Sequence, residues 1–210
     1  MFITLEGIEG SGKSTLAKSL SEKIKHELKK ESVLTREPGG TIFGQNIRSL
    51  LLERRDIILD PLAETLLFAS DRAQHVAELI IPALKRGAYV ISDRYYHSTL
   101  AYQGYGRGLD LKLLNQICNI AIQQQKPALT ILLDLPPEAG LARAKGRGDK
   151  ESWTKFEEEE INFHKRIREG FLELAKLDSF LILDATQKPE KLLELAWLAV
   201  IGQAVPVKSK

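Results

Sequence analysis

The sequence predicts an α/β fold in which five parallel strands form one sheet with helices on both of its faces. Short apolar segments that suit buried strands alternate with longer amphipathic segments along the 210 residues, and this alternation favours parallel pairing through right-handed crossovers. No fixed-period repeat and no low-complexity linker divides the chain. We therefore predict a single domain over residues 1–210, with a lid at about 140–155 and a frayed tail at 203–210.

The predicted strands are short apolar runs bounded by polar or turn residues. They comprise Phe2 to Leu5, Val33 and Leu34, Tyr89 to Ser92, Leu129 to Leu135, and Phe180 to Leu183. Each run alternates with a helical segment in the order that a parallel sheet requires.

The predicted helices show apolar residues at helical spacing. The first carries one at every fourth position, at Leu16, Leu20, Ile24 and Leu28. This spacing places one apolar face against the sheet. The predicted helices run from about Lys13 to Lys30, Phe43 to Glu53, Pro61 to Arg86 where Pro82 can introduce a kink, Asp110 to Gln124, Pro136 to Lys145, Trp153 to Leu177, and Pro189 to Ile201. The glycine-rich stretches are predicted loops: Gly39-Gly40, Gly104 to Gly108, and Gly146 to Gly148.

The composition argues against two classes of partner. Lys and Arg total 30 against 28 Asp and Glu, so the net charge of +2 is too small for bulk attraction to nucleic acid or an anionic membrane. No stretch approaches the roughly 20 apolar residues of a membrane span, and the first residues lack a signal-peptide pattern. Cys118 is the single cysteine, so an intramolecular disulfide is excluded. We expect a protein of the cytoplasm.

A phosphate-binding motif follows the first predicted strand. The run GIEGSGKS at residues 7–14 matches G-x-x-x-x-G-K-[ST] and opens the first predicted helix. Its glycines let backbone N–H groups surround phosphate oxygens, while Lys13 reaches the β- and γ-phosphates and the Ser14 hydroxyl binds Mg²⁺. The residues expected to bind ATP are Gly7, Ile8, Glu9, Gly10, Ser11, Gly12, Lys13, Ser14 and Thr15. The alternative is a glycine-rich turn that happens to carry a lysine.

Three apolar strands end in an aspartate, at Asp93, Asp134 and Asp184. All three are expected near the carboxyl edge of the sheet, where ligands bind, so position alone does not separate them. Arg94 directly follows Asp93 and places a guanidinium beside the metal region, where an incoming phosphate must be held. We therefore assign Mg²⁺ to Ser14 and Asp93, and favour capping or strand-end roles for the other two acids.

Several segments together resemble the thymidylate kinase family. They are FITLEGIEGSGKST at 2–15, REPGGT at 36–41, FASDR at 68–72, SDRY at 92–95 and STLAYQG at 98–104, in the family's order from Phe2 to about Gly170. The resemblance implies a P-loop NTPase fold similar to the nucleoside monophosphate kinases, with a lid. It also implies a homodimer, for which apolar positions near Leu62, Leu66 and Ile117 can supply a helical interface.

The resemblance implies transfer of the γ-phosphoryl group of Mg·ATP to dTMP, giving dTDP for dTTP synthesis. In this interpretation Phe68 stacks on thymine, and Arg72 donates to its O4. The other residues implied in binding the acceptor are Glu9 near the 3′-hydroxyl, Arg48 and Arg94 at the phosphate, Thr99 and Gln103 at the polar edge of the base, and Tyr102 at the deoxyribose. Glu37 belongs to the same implied set. Periodicity alone favours Phe68 in the core and Arg72 in a surface ion pair, and loop-fixing ion pairs are an equal alternative for at least one of Arg36, Glu37 and Arg48.

The segment GLARAKGRG at 140–148 has the character of a mobile basic lid, with Arg143 and Arg147 four residues apart. Such cations can neutralise charge on a transferred phosphoryl group, although a solvated basic helix end would show the same pattern. With glycine and serine in the P-loop, the chain resembles the bacterial type that carries its catalytic arginines in the lid. It departs from many relatives at Lys155, which stands where they carry arginine.

We predict direct in-line transfer without a covalent enzyme intermediate, with Lys13, Arg94, Arg143 and Arg147 as the catalytic residues. The histidines, His26, His75, His97 and His164, lack metal-ligand spacing and receive no chemical role. Two alternatives remain open at this point. One is another deoxynucleoside or nucleoside monophosphate kinase, and the other is a P-loop switch protein, whose water-positioning glutamine has no clear counterpart here.

Overall fold

The computed structural model describes residues 1–54, 56–146, 154–178 and 180–202. Its strands form one sheet in the order β2-β3-β1-β4-β5, in which every neighbouring pair is parallel. The strands are β1 (Phe2–Glu6), β2 (Ser32–Arg36), β3 (Tyr89–Asp93), β4 (Leu129–Asp134) and β5 (Leu181–Asp184). The prediction of a five-stranded parallel sheet is confirmed.

Helices cover the sheet and connect its strands. They are α1 (Lys13–Lys23), α2 (Ile42–Arg48), α3 (Pro61–His75), α4 (Ile81–Lys85), α5 (Tyr96–Thr99), α6 (Leu111–Ala121), α7 (Pro137–Lys145), α8 (Ile161–Leu177) and α9 (Pro189–Val200). Wider π-helical turns extend four of them, at Ile24–Leu28, Ser49–Glu53, Val76–Ile80 and Leu100–Gly106, and a short 3₁₀ helix covers Lys155–Glu158. In the described part of the chain, no helix combines the length and apolar character needed to cross a bilayer.

The core forms where helices pack on the central strands. Every residue of β1 is buried, because β3 and β4 flank it and helices cover both faces. On α1 the predicted stripe is confirmed, since Leu16 and Leu20 are buried and Ile24 continues the buried face into the π-helical turn. This packing fixes the start of α1, and therefore the P-loop, against the carboxyl end of β1.

The region after β3 differs from the prediction. Gly104 to Gly108 was predicted as a loop, but Leu100–Gly106 is helical. The glycines serve close packing, because a Cβ on Gly104 would lie 2.5 Å from the Leu111 side chain and one on Gly106 would lie 2.8 Å from the ring of Phe163. The sequence alone shows glycine but not the neighbour that requires it.

Two predicted helices are interrupted. The segment predicted from Trp153 to Leu177 contains a 3₁₀ turn at Lys155–Glu158, and the α-helix begins only at Ile161, after extended backbone at Glu159 and Glu160. The segment predicted from Pro61 to Arg86 is helical to Lys85, but a π-helical turn at Val76–Ile80 precedes Pro82, which has no amide hydrogen to donate.

Candidate active site

A cavity of about 350 Å³ opens at the carboxyl edge of β1 and β3, a size that suits a small-molecule site. It lies beside β1, where the chain's strand order changes direction, which is where open α/β sheets bind ligands. The predicted site residues that line it are Glu9, Gly10, Gly12, Lys13, Ser14, Thr15, Glu37, Arg48, Phe68, Arg72, Asp93, Arg94, Thr99, Tyr102 and Gln103. The two predicted groups of residues, one for each ligand, therefore share a single cavity.

The P-loop joins β1 to α1 in the predicted way. Gly10 and Gly12 have positive φ angles of 70° and 93°, which let the loop turn back before α1 begins. The ammonium of Lys13 lies inside the loop, where it donates to the carbonyl oxygens of Gly7 at 3.0 Å and Ile8 at 2.7 Å. Burial, followed by repulsion from Arg94, lowers the pKa of Lys13 to about 8. The loop therefore carries its cation at its centre.

The P-loop also packs directly on helix α7. A Cβ added to Gly10 would lie 2.0 Å from the carbonyl oxygen of Gly140, and one added to Gly140 would lie 2.5 Å from the carbonyl oxygen of Glu9. Such distances are far below van der Waals contact, so both positions require glycine. The start of the predicted lid thus rests on the loop that cradles phosphate.

Replacing Gly10 with alanine tests this contact. We expect Gly10→Ala to lower the free energy of unfolding by about 1–3 kcal/mol more than Gly87→Ala, as measured by urea denaturation. Gly87 has a similar positive φ of 79°, but a Cβ there would meet nothing within 4 Å, so it reports backbone strain alone. Equal losses in the two variants would mean that the Gly10 contact with Gly140 relaxes freely.

The three aspartates at strand ends have different hydrogen-bond partners in the structure. The hydroxyl of Ser14 donates to Oδ2 of Asp93 at 2.5 Å. Asp134 instead pairs with both nitrogens of the Arg168 fork, and Asp184 accepts from Thr186. Of these three described acids, Asp93 alone meets the P-loop, and the preference for strand-end roles at the other two is confirmed.

Arg94 holds the centre of the cavity together. Its backbone has a positive φ of 76°, rare for a residue with a side chain. Its guanidinium donates to the carbonyl oxygen of Gly7 at 2.8 Å, to Ser98 at 3.1 Å, to Glu9 at 3.1 Å and to the hydroxyl of Tyr102 at 2.9 Å. These bonds fix a cation between the P-loop and the helical segment that follows β3.

Glu9 lies in a positively charged environment. Its Oε1 accepts from Arg94 and from the hydroxyl of Tyr102, while its Oε2 lies 3.4 Å from Nδ1 of His164. Burial alone would raise its pKa, but His164, Arg94 and Lys13 outweigh burial and lower it to about 2. Glu9 therefore presents a carboxylate to the cavity at neutral pH. His164 is buried and far from Glu9 in the chain, so no local sequence pattern places the two side chains together.

The predicted base-binding end contains a buried chain of hydrogen bonds. Arg72 donates from Nε to Glu37 at 2.8 Å and from Nη1 to Thr99 at 3.1 Å. The second oxygen of Glu37 bonds Nδ1 of His75 at 2.8 Å, and the far ring nitrogen bonds Thr35 at 2.8 Å. Arg72 is 1% exposed, so the alternative of a surface ion pair is wrong. Glu37 fixes the loop and also orients the arginine.

Phe68 stands one helical turn before Arg72 on α3, and both side chains line the cavity. The ring of Phe68 lies 6.3 Å from that of Phe156, and the ring of Tyr102 lies 5.2 Å from Phe156 on another side. These rings form an apolar wall beside the buried guanidinium, and the half-buried Phe68 both packs against the core and lines the cavity.

Two further arginines line the cavity near the loop that follows β2. Arg36 and Arg48 both line it, and Arg48 donates to the carbonyl oxygen of Pro38 at 3.0 Å. Burial, followed by repulsion from Arg36, lowers the pKa of Arg48. Like charges held this close suit an anionic ligand. Arg48 also fixes the loop through Pro38, so its two predicted roles coexist.

Some predicted site residues lie elsewhere. Gly7, Ile8 and Ser11 support the loop from outside the cavity lining, with Ser11 accepting from Lys13 at 3.2 Å. Arg143 donates to the carbonyl oxygen of Ala185 at 3.0 Å and does not line the cavity. Arg147 falls outside the described residues, as do the rest of lid residues 147–153 and the whole of the predicted tail.

Other residues that line the cavity were not among the predicted site residues. They include Arg36, Pro38, Leu52, Tyr95, Ser98, Thr154, Phe156 and Glu157. Arg36 and Ser98 belong to recognisable segments, REPGGT and STLAYQG, and could have been found there. Phe156 could not, because only the fold brings the chain after the lid back to Phe68 and Tyr102.

The carboxyl group of Glu6 has the opposite character to that of Glu9. It ends β1 and is buried, accepting from the backbone amide of Tyr95 at 2.9 Å and from the hydroxyl of Ser98 at 2.6 Å. Burial raises its pKa from 4.5 to about 7, although Ser98 and Arg94 oppose the shift. The folded protein therefore binds a proton at Glu6 over a pH range in which the unfolded chain does not.

Glu6 is expected to make the protein less stable as pH rises from 4.5 to about 7, since the folded state binds the extra proton there. Glu6→Gln should reduce the loss of unfolding free energy between about pH 5 and pH 7.5 by about 2 kcal/mol. Denaturant titrations at the two pH values measure this. Asp71, whose pKa burial raises to about 6, is present in both proteins and cancels. Equal pH slopes would show that Glu6 ionises normally.

Comparisons with known proteins show which family the chain resembles. The family model for thymidylate kinase matches residues 5–195. The chain is 52% identical over 196 residues to a thymidylate kinase of Carboxydothermus hydrogenoformans, covering 91% of this chain and 92% of the relative. It is 49% identical to one of Nitratidesulfovibrio vulgaris, covering 90% and 87%. The crystal structure of thymidylate kinase from Ehrlichia chaffeensis superposes with a TM-score of 0.75 at 32% identity, covering 96% and 98% of the two chains.

Proposed function

The chain belongs to the thymidylate kinase family, and from this premise we infer that it transfers the γ-phosphoryl group of ATP to dTMP, giving dTDP. It is a nucleoside monophosphate kinase, a phosphotransferase of nucleotide biosynthesis. The observation that supports this best is the single cavity, in which a P-loop faces a buried arginine and an aromatic wall. Relatives that share most of this chain's length give no support to the alternative kinases or to a switch protein.

We propose that dTMP lies with its base against Arg72 and Phe68 and with its phosphate toward Arg48, Arg94 and Arg36. Arg72 is held by Glu37 and Thr99 on two of its nitrogens, so its remaining N–H groups are fixed in direction. Such a donor suits the O4 carbonyl of thymine. Tyr102, held by Glu9 and Arg94, limits the space beside the sugar. The carboxylate of Glu9 can accept a hydrogen bond from the 3′-hydroxyl.

The reaction needs alignment and charge neutralisation more than proton transfer. A phosphate oxygen of dTMP forms the new bond to the γ-phosphorus, and the bond from that phosphorus to the bridging oxygen of ADP breaks. The acceptor oxygen is already anionic at neutral pH, so no strong general base is required. Lys13 and Arg94 both donate to the P-loop carbonyl oxygen of Gly7. They supply positive charge where the transferred group passes.

The residues present fit Mg²⁺. The metal prefers oxygen ligands and is usually held by one or two protein groups plus substrate phosphates, and the structure brings the hydroxyl of Ser14 to the carboxylate of Asp93. No cluster of three or more His, Cys, Asp or Glu among the described residues offers a self-sufficient metal cage. We propose that Ser14 and Asp93 hold Mg²⁺ with ATP, where it would neutralise phosphate charge.

The lid arginines remain a proposal. Arg143 now bonds the carbonyl of Ala185, and the contact of Gly140 with the P-loop gives α7 a fixed base from which the following residues extend. We propose that Arg143 and Arg147 neutralise phosphate charge when both substrates are bound. Lys155 donates to the carbonyl oxygen of Ile57 at 2.7 Å and does not line the cavity. This bond anchors the far end of the lid.

The activity is tested by coupling ADP release to a spectrophotometric assay. Mg·ATP is supplied with each of dTMP, dUMP, dCMP, dGMP and UMP, and chelation of the metal serves as the control for Mg²⁺ dependence. We expect dTMP to give the highest kcat/KM. Equal turnover with all acceptors, or turnover that does not depend on an acceptor, would contradict the proposal.

Two further proposals concern the setting of the enzyme. Leu62 and Leu66 on α3 are 41% and 51% exposed, and on the neighbouring α6 Ile117 is half-buried and Ile120 is exposed. We propose that these residues form a homodimer interface, which light scattering of the protein and of Leu66→Glu would test. Cys118 is buried and free, consistent with our proposal of a cytoplasmic enzyme that needs no disulfide.

A further inference from the structure

Glu64 lies directly behind a side chain of the proposed base site. It sits in the first turn of α3 and is buried, but it does not line the cavity. The side-chain amide of Gln103, which does line the cavity, donates from Nε2 to Oε1 of Glu64 at 2.8 Å. Glu64 has no role in the proposed chemistry, and no sequence motif points to it.

The contact with Glu64 decides which way round the Gln103 amide lies. An ionised carboxylate only accepts hydrogen bonds, whereas an amide has a donor end and an acceptor end. Turning the Gln103 amide over would bring its carbonyl oxygen against a carboxylate oxygen at hydrogen-bond distance. It would also take the N–H donor away from its acceptor. The Nε2 group is therefore committed to Glu64, and the carbonyl oxygen is the end of the amide available to a ligand in the cavity.

Arg107 keeps Glu64 in place. Its guanidinium lies 3.4 Å from Oε1 and 3.4 Å from Oε2 of Glu64, and it also donates to Glu159. The same guanidinium stacks 4.7 Å from the ring centre of Phe163. A cation shared between two carboxylates and an aromatic face holds Glu64 in one position. The orientation of Gln103 is thus set by the buried Glu64, which the half-buried Arg107 holds from outside the cavity.

The two polar groups at this wall of the cavity have opposite character. Arg72 offers N–H donors and is tied to Thr99 at 3.1 Å, while Gln103, one helical turn after Thr99, offers an acceptor. Thymine and uracil present the matching pair, an O4 acceptor beside an N3–H donor. Cytosine presents the reverse, an N4 amino donor beside an N3 acceptor, and would meet like groups at both positions.

We propose that Glu64 is a specificity-determining positioning residue, which holds the Gln103 amide with its acceptor toward the base and so selects an N3–H imide over cytosine. The inference rests on the proposed function, because it requires the base of the acceptor nucleotide to lie at this wall. Glu64 acts only through Gln103 and does not itself touch the substrate.

The test compares dTMP with 5-methyl-dCMP, which differs only in the groups at positions 3 and 4 of the base. Glu64→Gln keeps the size of the side chain but can accept or donate, so the Gln103 amide is free to turn. We expect the ratio of kcat/KM for dTMP to that for 5-methyl-dCMP to fall about 10-fold or more. The KM for dTMP should rise, while kcat with dTMP and the KM for ATP stay near wild type.

Glu159→Gln is the matched control. It removes a carboxylate from the same guanidinium of Arg107 without touching Gln103, and it should leave the preference ratio unchanged. An equal fall in Glu159→Gln, or an unchanged ratio in Glu64→Gln with a wild-type denaturation midpoint, would overturn the proposal. Absence of dTMP turnover in the wild-type enzyme would instead contradict the proposed function, so the two failures are distinct.

A double-mutant cycle shows whether Glu64 acts through Gln103. Gln103→Leu removes the acceptor and must by itself lower the preference by a similar factor. In that background Glu64→Gln should have no further effect on the ratio, whereas a general structural role would add a second loss. An unchanged preference in Gln103→Leu overturns the proposal even if Glu64→Gln fails to fold.

Discussion

Replacement of Lys13 by methionine is expected to lower kcat by roughly 10³-fold, because it removes the cation at the centre of the P-loop. Methionine has similar length and fills the same space, but it has no charge to place beside the transferred phosphoryl group. The KM for dTMP should change far less, since the proposed acceptor site is built from other residues of the cavity lining, Arg72, Arg48 and Arg94. Steady-state kinetics with both substrates varied measures the two effects.

The control for this variant is Lys18→Met on the same helix. Lys18 is exposed on α1, so its loss removes an equal charge from the protein without touching the loop, and kcat should stay within about twofold of wild type. Because Lys13 also bonds the carbonyl oxygens of Gly7 and Ile8, denaturation midpoints must show that Lys13→Met is folded. A folded variant with wild-type kcat would remove Lys13 from the mechanism.

The fold could be predicted from the sequence wherever the pattern within one segment was enough to identify a strand or a helix. Buried parallel strands have continuous apolar runs, and α1 has an apolar face at regular spacing, so both were located. The π-helical turns were not, because a wider turn after α5 depends on Gly106 meeting Phe163, a residue 57 positions further along. Such a contact leaves no periodic signal.

The site divides in the same way. Ser14 and Asp93, like Phe68 and Arg72, were found because each lies in a local motif or pair on one element. His75, His164 and Glu64 were not found, because their roles come from partners far away in the chain. The histidines lack metal spacing, as the sequence indicated, yet two of them support the carboxylates of Glu37 and Glu9. Sequence patterns therefore reveal residues of the cavity lining more readily than the residues that hold those side chains in position.

This dependence of one buried group on another also applies to Arg72, the arginine proposed to bind the base. Arg72 and Glu37 are both nearly inaccessible, and each leaves the other without a charge partner when it is removed. Glu37 would keep its hydrogen bond with His75, and the Arg72 guanidinium would keep its hydrogen bond to Thr99 and its place over the Tyr95 ring, but neither would keep the other's opposite charge. A substitution chosen to test recognition of thymine therefore also tests the integrity of the fold.

Arg72→Ala is expected to lower the free energy of unfolding by about 3–5 kcal/mol, because it leaves the Glu37 carboxylate buried and uncompensated. It should also raise the KM for dTMP, so activity must be measured where the variant remains folded. Arg86→Ala is the matched control. Arg86 pairs with Glu31 at 3.0 Å, but their side chains are 56% and 50% exposed, so the loss should be at most about 1 kcal/mol.

The double variant Arg72→Ala/Glu37→Ala separates the ion pair from the cavity left by truncation. Its loss of unfolding free energy should be smaller than the sum of the two single losses, since no lone charge remains buried. Urea denaturation of the four proteins at one pH gives the coupling. Additive losses, or an Arg72→Ala no less stable than Arg86→Ala, would mean that water reaches Glu37 in the variant. In that case Arg72→Ala would become a clean probe of base recognition, and its effect on KM could be attributed to the lost contact with O4 alone.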